Sequence, residues 1–252
     1  MIRNIAAYHF IEIADPSALA DAVRTQAEQH GLLGSVLVAG EGINLFLAGE
    51  ADAIEAFLSW LRIDPRFAAI QVKHSDSATR PFARLKVKLK PEIISFRREG
   101  AAPLARERAP SVAPGDLARW IEQGTDDVGR RLVLLDTRNR EEIVHGTFAG
   151  ALTLPIDKFT DLPGALEPHR DALADATVVS FCTGGIRCEK AALWMRDSGM
   201  DNVLQLEGGI LGYFEAVGGI GYEGGCFVFD ERVALDPRLR PLVDGDSEQA
   251  AA

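Results

Sequence analysis

The segment Cys182-Thr183-Gly184-Gly185-Ile186-Arg187 joins an apolar run, residues 176–181, to a helical pattern ending at Gly199. A strand that enters a helix through two glycines can curl until successive backbone N–H groups point at one anion. The helix N-terminus adds partial positive charge and Arg187 adds a full one. Such a cradle favours ionised sulfur. The pattern therefore predicts that Cys182 has a depressed pKa and serves as a thiolate or carries a persulfide. A free cysteine is more often a small buried hydrophobe, but the glycines and arginine in order argue against that here.

Other residues stand close to this chemistry. Cys188 follows Arg187 directly and is either a resolving thiol for an oxidised or persulfurated Cys182 or a core residue. Asp136 and Arg138 close a second apolar run, RLVLLDTR, and are expected near the mouth of the site. Arg138 could hold an anionic substrate group or form a structural ion pair; Asp136 could orient Arg187 or cap a turn. Cys226, between apolar neighbours, is expected to pack. The histidines His9, His30, His74, His145 and His169 form no ligand spacing, so no metal site is predicted. No dinucleotide or nucleotide-phosphate loop is present.

The elements around these residues divide the chain. With 252 residues, 47% hydrophobic and 25% charged, two domains are the natural expectation. Residues 1–96 read strand, helix, strand, strand, helix, strand, the order of a ferredoxin-like α+β domain. Asp15-Pro16 starts the first helix, Gly40-Glu41-Gly42 turns a hairpin, and ARLKVKLK and EIISF extend the sheet. Residues 97–113, rich in Ala, Pro and Arg, form a linker. Residues 114–240 alternate short apolar strands with helices, which indicates a parallel sheet covered on both faces. Residues 241–252 are expected to be a disordered tail. Three cysteines, no signal-peptide plan and no membrane-length apolar stretch point to a cytoplasmic protein without disulfides.

Net charge is −10, which argues against a nucleic-acid partner for the chain as a whole. Residues 1–100 are balanced, however, with 12 basic and 12 acidic side chains. Within them, residues 73–98 hold eight basic residues against Asp76 and Glu92. In ARLKVKLK, Leu85, Val87 and Leu89 alternate with Arg84, Lys86, Lys88 and Lys90. The basic face either protects an exposed strand edge or contacts RNA phosphates.

CTGGIRCEK, with LLDTRNREE and GTFAGAL before it and LEGGILGYF and GGCFVFDERVAL after it, resembles a rhodanese domain. Thr147 stands where many rhodaneses have histidine. Together with Ala39-Gly40-Glu41-Gly42-Ile43-Asn44 and PFARLKVKLKPEI, the set resembles the bacterial rhodanese-like tRNA uridine hydroxylases over roughly residues 5–236. Leu45-Phe46 replaces the small residues usual after that motif. No cysteine follows Cys226, so the metal-site-like tail of longer relatives is not expected. The resemblance implies an enzyme that hydroxylates the wobble uridine of tRNA at carbon 5, with molecular oxygen as co-substrate. The loop itself points more directly to a sulfurtransferase that takes sulfur from a donor such as thiosulfate onto Cys182. Rhodanese-like phosphatases resemble this loop with one more residue, so the six residues from Cys182 to Arg187 suit a sulfur-sized load and disfavour a phosphatase. A non-catalytic binding module is disfavoured by the intact cysteine.

Overall fold

A computed structural model describes residues 1–242. Its contacts separate two compact units, Met1–Ser95 and the chain from Phe96 onward. In the first unit the elements are β1 (Ile2–Phe10), α1 (Pro16–Gln29), β2 (Leu33–Ala39), β3 (Gly42–Glu50), α2 (Ala51–Ile63), β4 (Val72–Ser77) and β5 (Leu85–Leu89). The sheet order is β4-β1-β3-β2-β5. The first four strands pair antiparallel, as the ferredoxin-like reading requires, and β5 adds parallel to β2 at the edge.

Local chemistry explains the boundaries. Asp15 caps α1 by accepting from the Ala18 N–H at 3.0 Å, with Pro16 in the first turn. Val23 and Ala27 of α1 and Ile54, Phe57 and Leu61 of α2 fall on one face each. They bury against Ile5, Ala7, Val36, Leu45 and Leu47 of the sheet. Leu85 and Val87 of β5 pack on the same core, whereas Leu89 is exposed. Leu45 is wholly buried, so the bulk after the Gly42-Ile43-Asn44 motif fills this core.

The strand expected at EIISF does not form. Its apolar residues Ile93 and Phe96 are three apart and both buried, a spacing that an alternating strand cannot present on one face. Side chains take over the backbone bonds that a ladder would supply. The Ile93 N–H donates to Glu41 Oε1 at 2.8 Å, and its carbonyl accepts from Asn44 Nδ2 at 3.1 Å. The AGEGIN motif thus straps the chain leaving β5 against the start of β3.

The second unit holds β6 (Ser111–Val112), α3 (Pro114–Gln123), β7 (Leu132–Asp136), α4 (Arg140–Ile143), β8 (Gly146–Phe148), β9 (Leu152–Thr153), α5 (Leu162–Leu166), α6 (Arg170–Leu173), β10 (Thr177–Phe181), α7 (Ile186–Asp197), β11 (Val203–Leu206), α8 (Gly209–Val217), β12 (Tyr222–Gly224), β13 (Cys226–Phe227) and β14 (Ala234–Leu235). Five strands, in the order β6-β11-β10-β7-β9, pair entirely in parallel. β10 is central and every one of its residues is buried, which is why it reads as an unbroken apolar run. β8 with β12 and β13 with β14 form two small antiparallel ribbons.

Residues 97–113 are mostly irregular yet anchored within this unit. Ala101 and Ala109 are buried, Arg108 pairs with Glu189 at 2.9 Å, and Ser111–Val112 joins the sheet beside β11. Of the expected tail, Pro241 bridges Leu235 and the Leu242 N–H donates to the Ala234 carbonyl; residues 243–252 lie outside the described residues. Among the described residues no helix is long and apolar enough to cross a membrane. Asn44→Ala should leave the Ile93 carbonyl buried and unpaired, at a cost of about 1–3 kcal/mol. Urea unfolding of the two proteins side by side checks this, and an unchanged midpoint would remove the strap from the account.

Candidate functional site

β7, β10 and β11 end at the same edge of the parallel sheet, and the segments that follow them build the site. Leaving β10, the chain passes through Cys182 to Gly185, which has φ +97° and starts α7. That left-handed conformation is available to glycine at little cost. It turns the Gly185 N–H onto Cys182 Sγ at 3.2 Å. Thr183 and Ile186 are buried in the same loop, and Gly184 is its partly exposed member. Cys182 itself has no accessible surface.

The start of α8 backs this loop. The Ile210 N–H donates to the Cys182 carbonyl at 2.9 Å, and the Leu211 N–H to that of Thr183 at 3.0 Å. Gly209 lies so close that a Cβ there would meet the Cys182 carbonyl oxygen and the Gly185 nitrogen, each at 2.5 Å. Only glycine allows the approach. From the other side the Phe181 carbonyl accepts from both the N–H and the hydroxyl of Thr137, at 3.0 and 2.9 Å.

Arg187 is buried and points its guanidinium at Glu142, with Nη1–Oε1 2.5 Å and Nη2–Oε2 2.6 Å. Glu142 Oε1 also accepts from the Asn139 N–H at 3.0 Å, so one carboxylate ties α4 to α7. From sequence, Asp136 was expected either to orient Arg187 or to cap a turn, and it does not meet Arg187. Asp136 instead binds Arg138 through both carboxylate oxygens, the closer contact being 2.6 Å, and accepts from the Arg138 N–H and the Thr147 hydroxyl. Arg138 also donates to the Gly146 carbonyl at 2.7 Å and has no exposed surface. Two buried ion pairs therefore lie below the loop. The Asn139-Glu142 spacing signals a helix start, but nothing in sequence linked Glu142 to Arg187, a separation of 45 residues.

Burial alone would push the Cys182 thiol up. A hydrogen bond with Cys188, the Arg187 charge, and the N–H groups of Arg187 and Cys188 outweigh it and bring the pKa below the ordinary thiol value. Cys188 moves the opposite way, raised by burial and by the neighbouring Cys182. Its sulfur is 3.6 Å from the Thr137 hydroxyl. Cys226 is buried and pushed up to about 12, chiefly by burial. Glu142 is held below the usual carboxylate range because Arg187 outweighs its burial. Of three buried thiols, one is prepared to ionise. Among the described residues no group of three or more His, Cys, Asp or Glu side chains is placed to hold a metal. Arg84, Lys86, Lys88 and Lys90 belong to the first unit, where all four are exposed along β5.

A strand, an anion-cradling cysteine loop and a helix on a parallel sheet define the second unit as rhodanese-like, and the rhodanese-like domain model matches residues 113–216. Residues 2–93 match the UPF0176 acylphosphatase-like domain. A tRNA uridine(34) hydroxylase of Xanthomonas euvesicatoria is 74% identical over 246 residues, 98% of this chain and 99% of that protein. One from Xylella fastidiosa is 66% identical, with 97% and 95% covered. The chain belongs to the tRNA uridine(34) hydroxylase family.

Titration of the ultraviolet thiolate absorbance, wild type minus Cys182→Ser, should show one ionisation below the ~8.5 of free cysteine. Replacing both Arg187 and Glu142 by glutamine removes the ion pair without stranding either charge. Because Arg187 is the member that favours the thiolate, the ionisation should then move to higher pH. An unchanged curve would show that Cys188 and the backbone amides suffice without the ion pair.

Proposed function

We propose that this protein hydroxylates uridine at position 34, the wobble position of tRNA, at carbon 5, with molecular oxygen as co-substrate and Cys182 as the reactive sulfur. The supporting observation is the 74% identity to a tRNA uridine(34) hydroxylase across nearly the full length of both chains. Residues 1–96 are the RNA-holding part, residues 114–240 the sulfur-chemistry part, and residues 97–113 the connection between them.

The site geometry suits a persulfide. Cys182 Sγ has no exposed surface, and a second sulfur extends the reactive atom by about 2 Å. Cys188 is the resolving thiol. Its attack on Sγ of a Cys182 persulfide forms the Cys182–Cys188 disulfide and releases hydrosulfide; attack on a sulfenic acid releases water. Replacing the C5 hydrogen by a hydroxyl uses one atom of molecular oxygen, and the other needs two electrons and two protons to become water. Oxidation of the Cys182 and Cys188 thiols to the disulfide yields both, whereas the persulfide exchange that releases hydrosulfide yields neither. Arg138 and Asp136 act through each other, as the buried support of the loop and not as substrate ligands.

The alternative is a sulfurtransferase that loads Cys182 from thiosulfate. The six-residue loop and the Gly185 N–H on Sγ favour it, since both fit a sulfane sulfur. Nucleoside mass spectrometry on tRNA from cells lacking the gene, complemented with wild type or Cys182→Ala, decides between them. Wild type alone should restore 5-hydroxyuridine derivatives. If hydroxylation never depends on the gene while purified protein transfers sulfur from thiosulfate to cyanide, the sulfurtransferase reading replaces this one.

Arg84, Lys86, Lys88 and Lys90 are the phosphate-binding residues in this reading. They are exposed on an edge strand that also carries the partly buried Leu85 and Val87. Replacing Lys86 and Lys88 with glutamine should weaken tRNA binding and lower the slope of log affinity against log salt by about 2. Unchanged binding would assign these lysines to edge protection.

A further inference from the structure

The extension beyond the rhodanese module carries an aromatic side chain that the sulfur chemistry leaves unused. Phe229 is 50% exposed, an unusual state for a phenylalanine beside a buried reactive site. The Arg187 guanidinium lies over its ring, 6.0 Å from the centroid. Arg187 is the cation of the Cys182 cradle, so the exposed ring borders the reactive loop. The ring is firmly mounted. Phe227 meets it edge-on at 5.1 Å, and Phe227 is itself stacked on His145 at 5.3 Å.

The backbone around Phe229 is fixed as well. β13 and β14 pair Phe227 with Ala234, and the Val228 N–H donates to the Val233 carbonyl at 2.8 Å. The Val233 N–H in turn donates to the Asp230 carbonyl at 3.1 Å. Asp230 and Arg232 form a largely buried ion pair, closest at 2.6 Å, across the tip. A ring displayed on so constrained a turn loses little freedom when a ligand covers it. A small anion such as thiosulfate has no use for an exposed aromatic face. A planar base drawn out of an RNA strand does, because every nucleobase has a π face and stacks on aromatic side chains. Position in the chain agrees with this. The rhodanese-like match stops at residue 216, while the hydroxylase relatives run over 98% of the chain.

We propose that Phe229 is the platform on which the uracil ring of the target nucleotide stacks, positioning it over the Cys182 loop. This rests on the uridine-hydroxylase reading and adds the base-binding subsite to it. Phe229 is a positioning residue for the base; Cys182 keeps the chemistry.

The test uses the full chain and two anticodon stem-loop RNAs, one with uridine and one with an abasic residue at position 34. Wild type should bind the uridine RNA at least about fivefold more tightly, the lower end of base–aromatic stacking. Phe229→Leu should lose that discrimination, while Phe229→Tyr retains it. General damage to the fold would weaken both RNAs together and leave their ratio unchanged. A Phe229→Leu protein that still discriminates as wild type does overturns the proposal, as does a wild-type protein that modifies tRNA without discriminating. Failure of wild type to modify tRNA at all would reject the underlying function, and the subsite with it.

Discussion

A negative charge on Cys182 has to be sustained where water does not reach. Burial opposes it, and the Cys182 pKa is nonetheless depressed, so the surroundings supply more than the lost hydration. The hydrogen bond with Cys188 and the Arg187 charge come first, and the backbone adds to them. The Gly185 turn aims an N–H at Sγ, and the first turn of α7 adds those of Arg187 and Cys188. A backbone cradle works only if the loop cannot relax. The Thr137 bonds to Phe181 on one side and the α8 bonds to Cys182 and Thr183 on the other keep it fixed.

The Arg187–Glu142 pair belongs to the same logic. An unpaired arginine would attract the thiolate more strongly but would be costly to bury. Glu142 resolves this by taking both guanidinium nitrogens, so Cys182 feels a partly neutralised cation together with oriented amides. The Asp136–Arg138 pair repeats the solution one layer away, anchored through Thr147 and the Gly146 carbonyl. Each pair is joined through two contacts or more; Arg187–Glu142 binds the segment after β7 to α7, and Asp136–Arg138 braces that segment on itself. Packing and electrostatics are therefore inseparable here.

Selectivity among three cysteines follows from position. Cys182 lies in the loop before α7, Cys188 is the third residue of that helix beside an already ionisable sulfur, and Cys226 is in an apolar ribbon. Cys182 is thus the thiol shifted towards ionisation, and the Cys188 thiol beside it is shifted away from it. The first unit obeys a different rule. Its sheet and paired helices bury one face, and its edge strand with the residues flanking it presents Arg84, Lys86, Lys88 and Lys90 to solvent.

The sequence by itself was enough to locate the glycine loop between β10 and α7, the parallel sheet and the ferredoxin-like order of the first unit. All of these are written in short-range signals: glycines before a helix, unbroken apolar runs, a capped helix start. It misjudged EIISF because local apolar content resembles a strand, while the absence of a strand follows from Glu41 in the β2–β3 turn and Asn44 of β3 reaching over to Ile93. The partners of Arg187 and Asp136, the closeness of Gly209 to the loop, and the placement of Phe229 beside Arg187 were decided by tertiary structure. Each joins residues dozens of positions apart, or depends on where a side chain points, and neither property has a local signature. Residue spacing along the chain reports which groups exist, but only packing decides which of them meet.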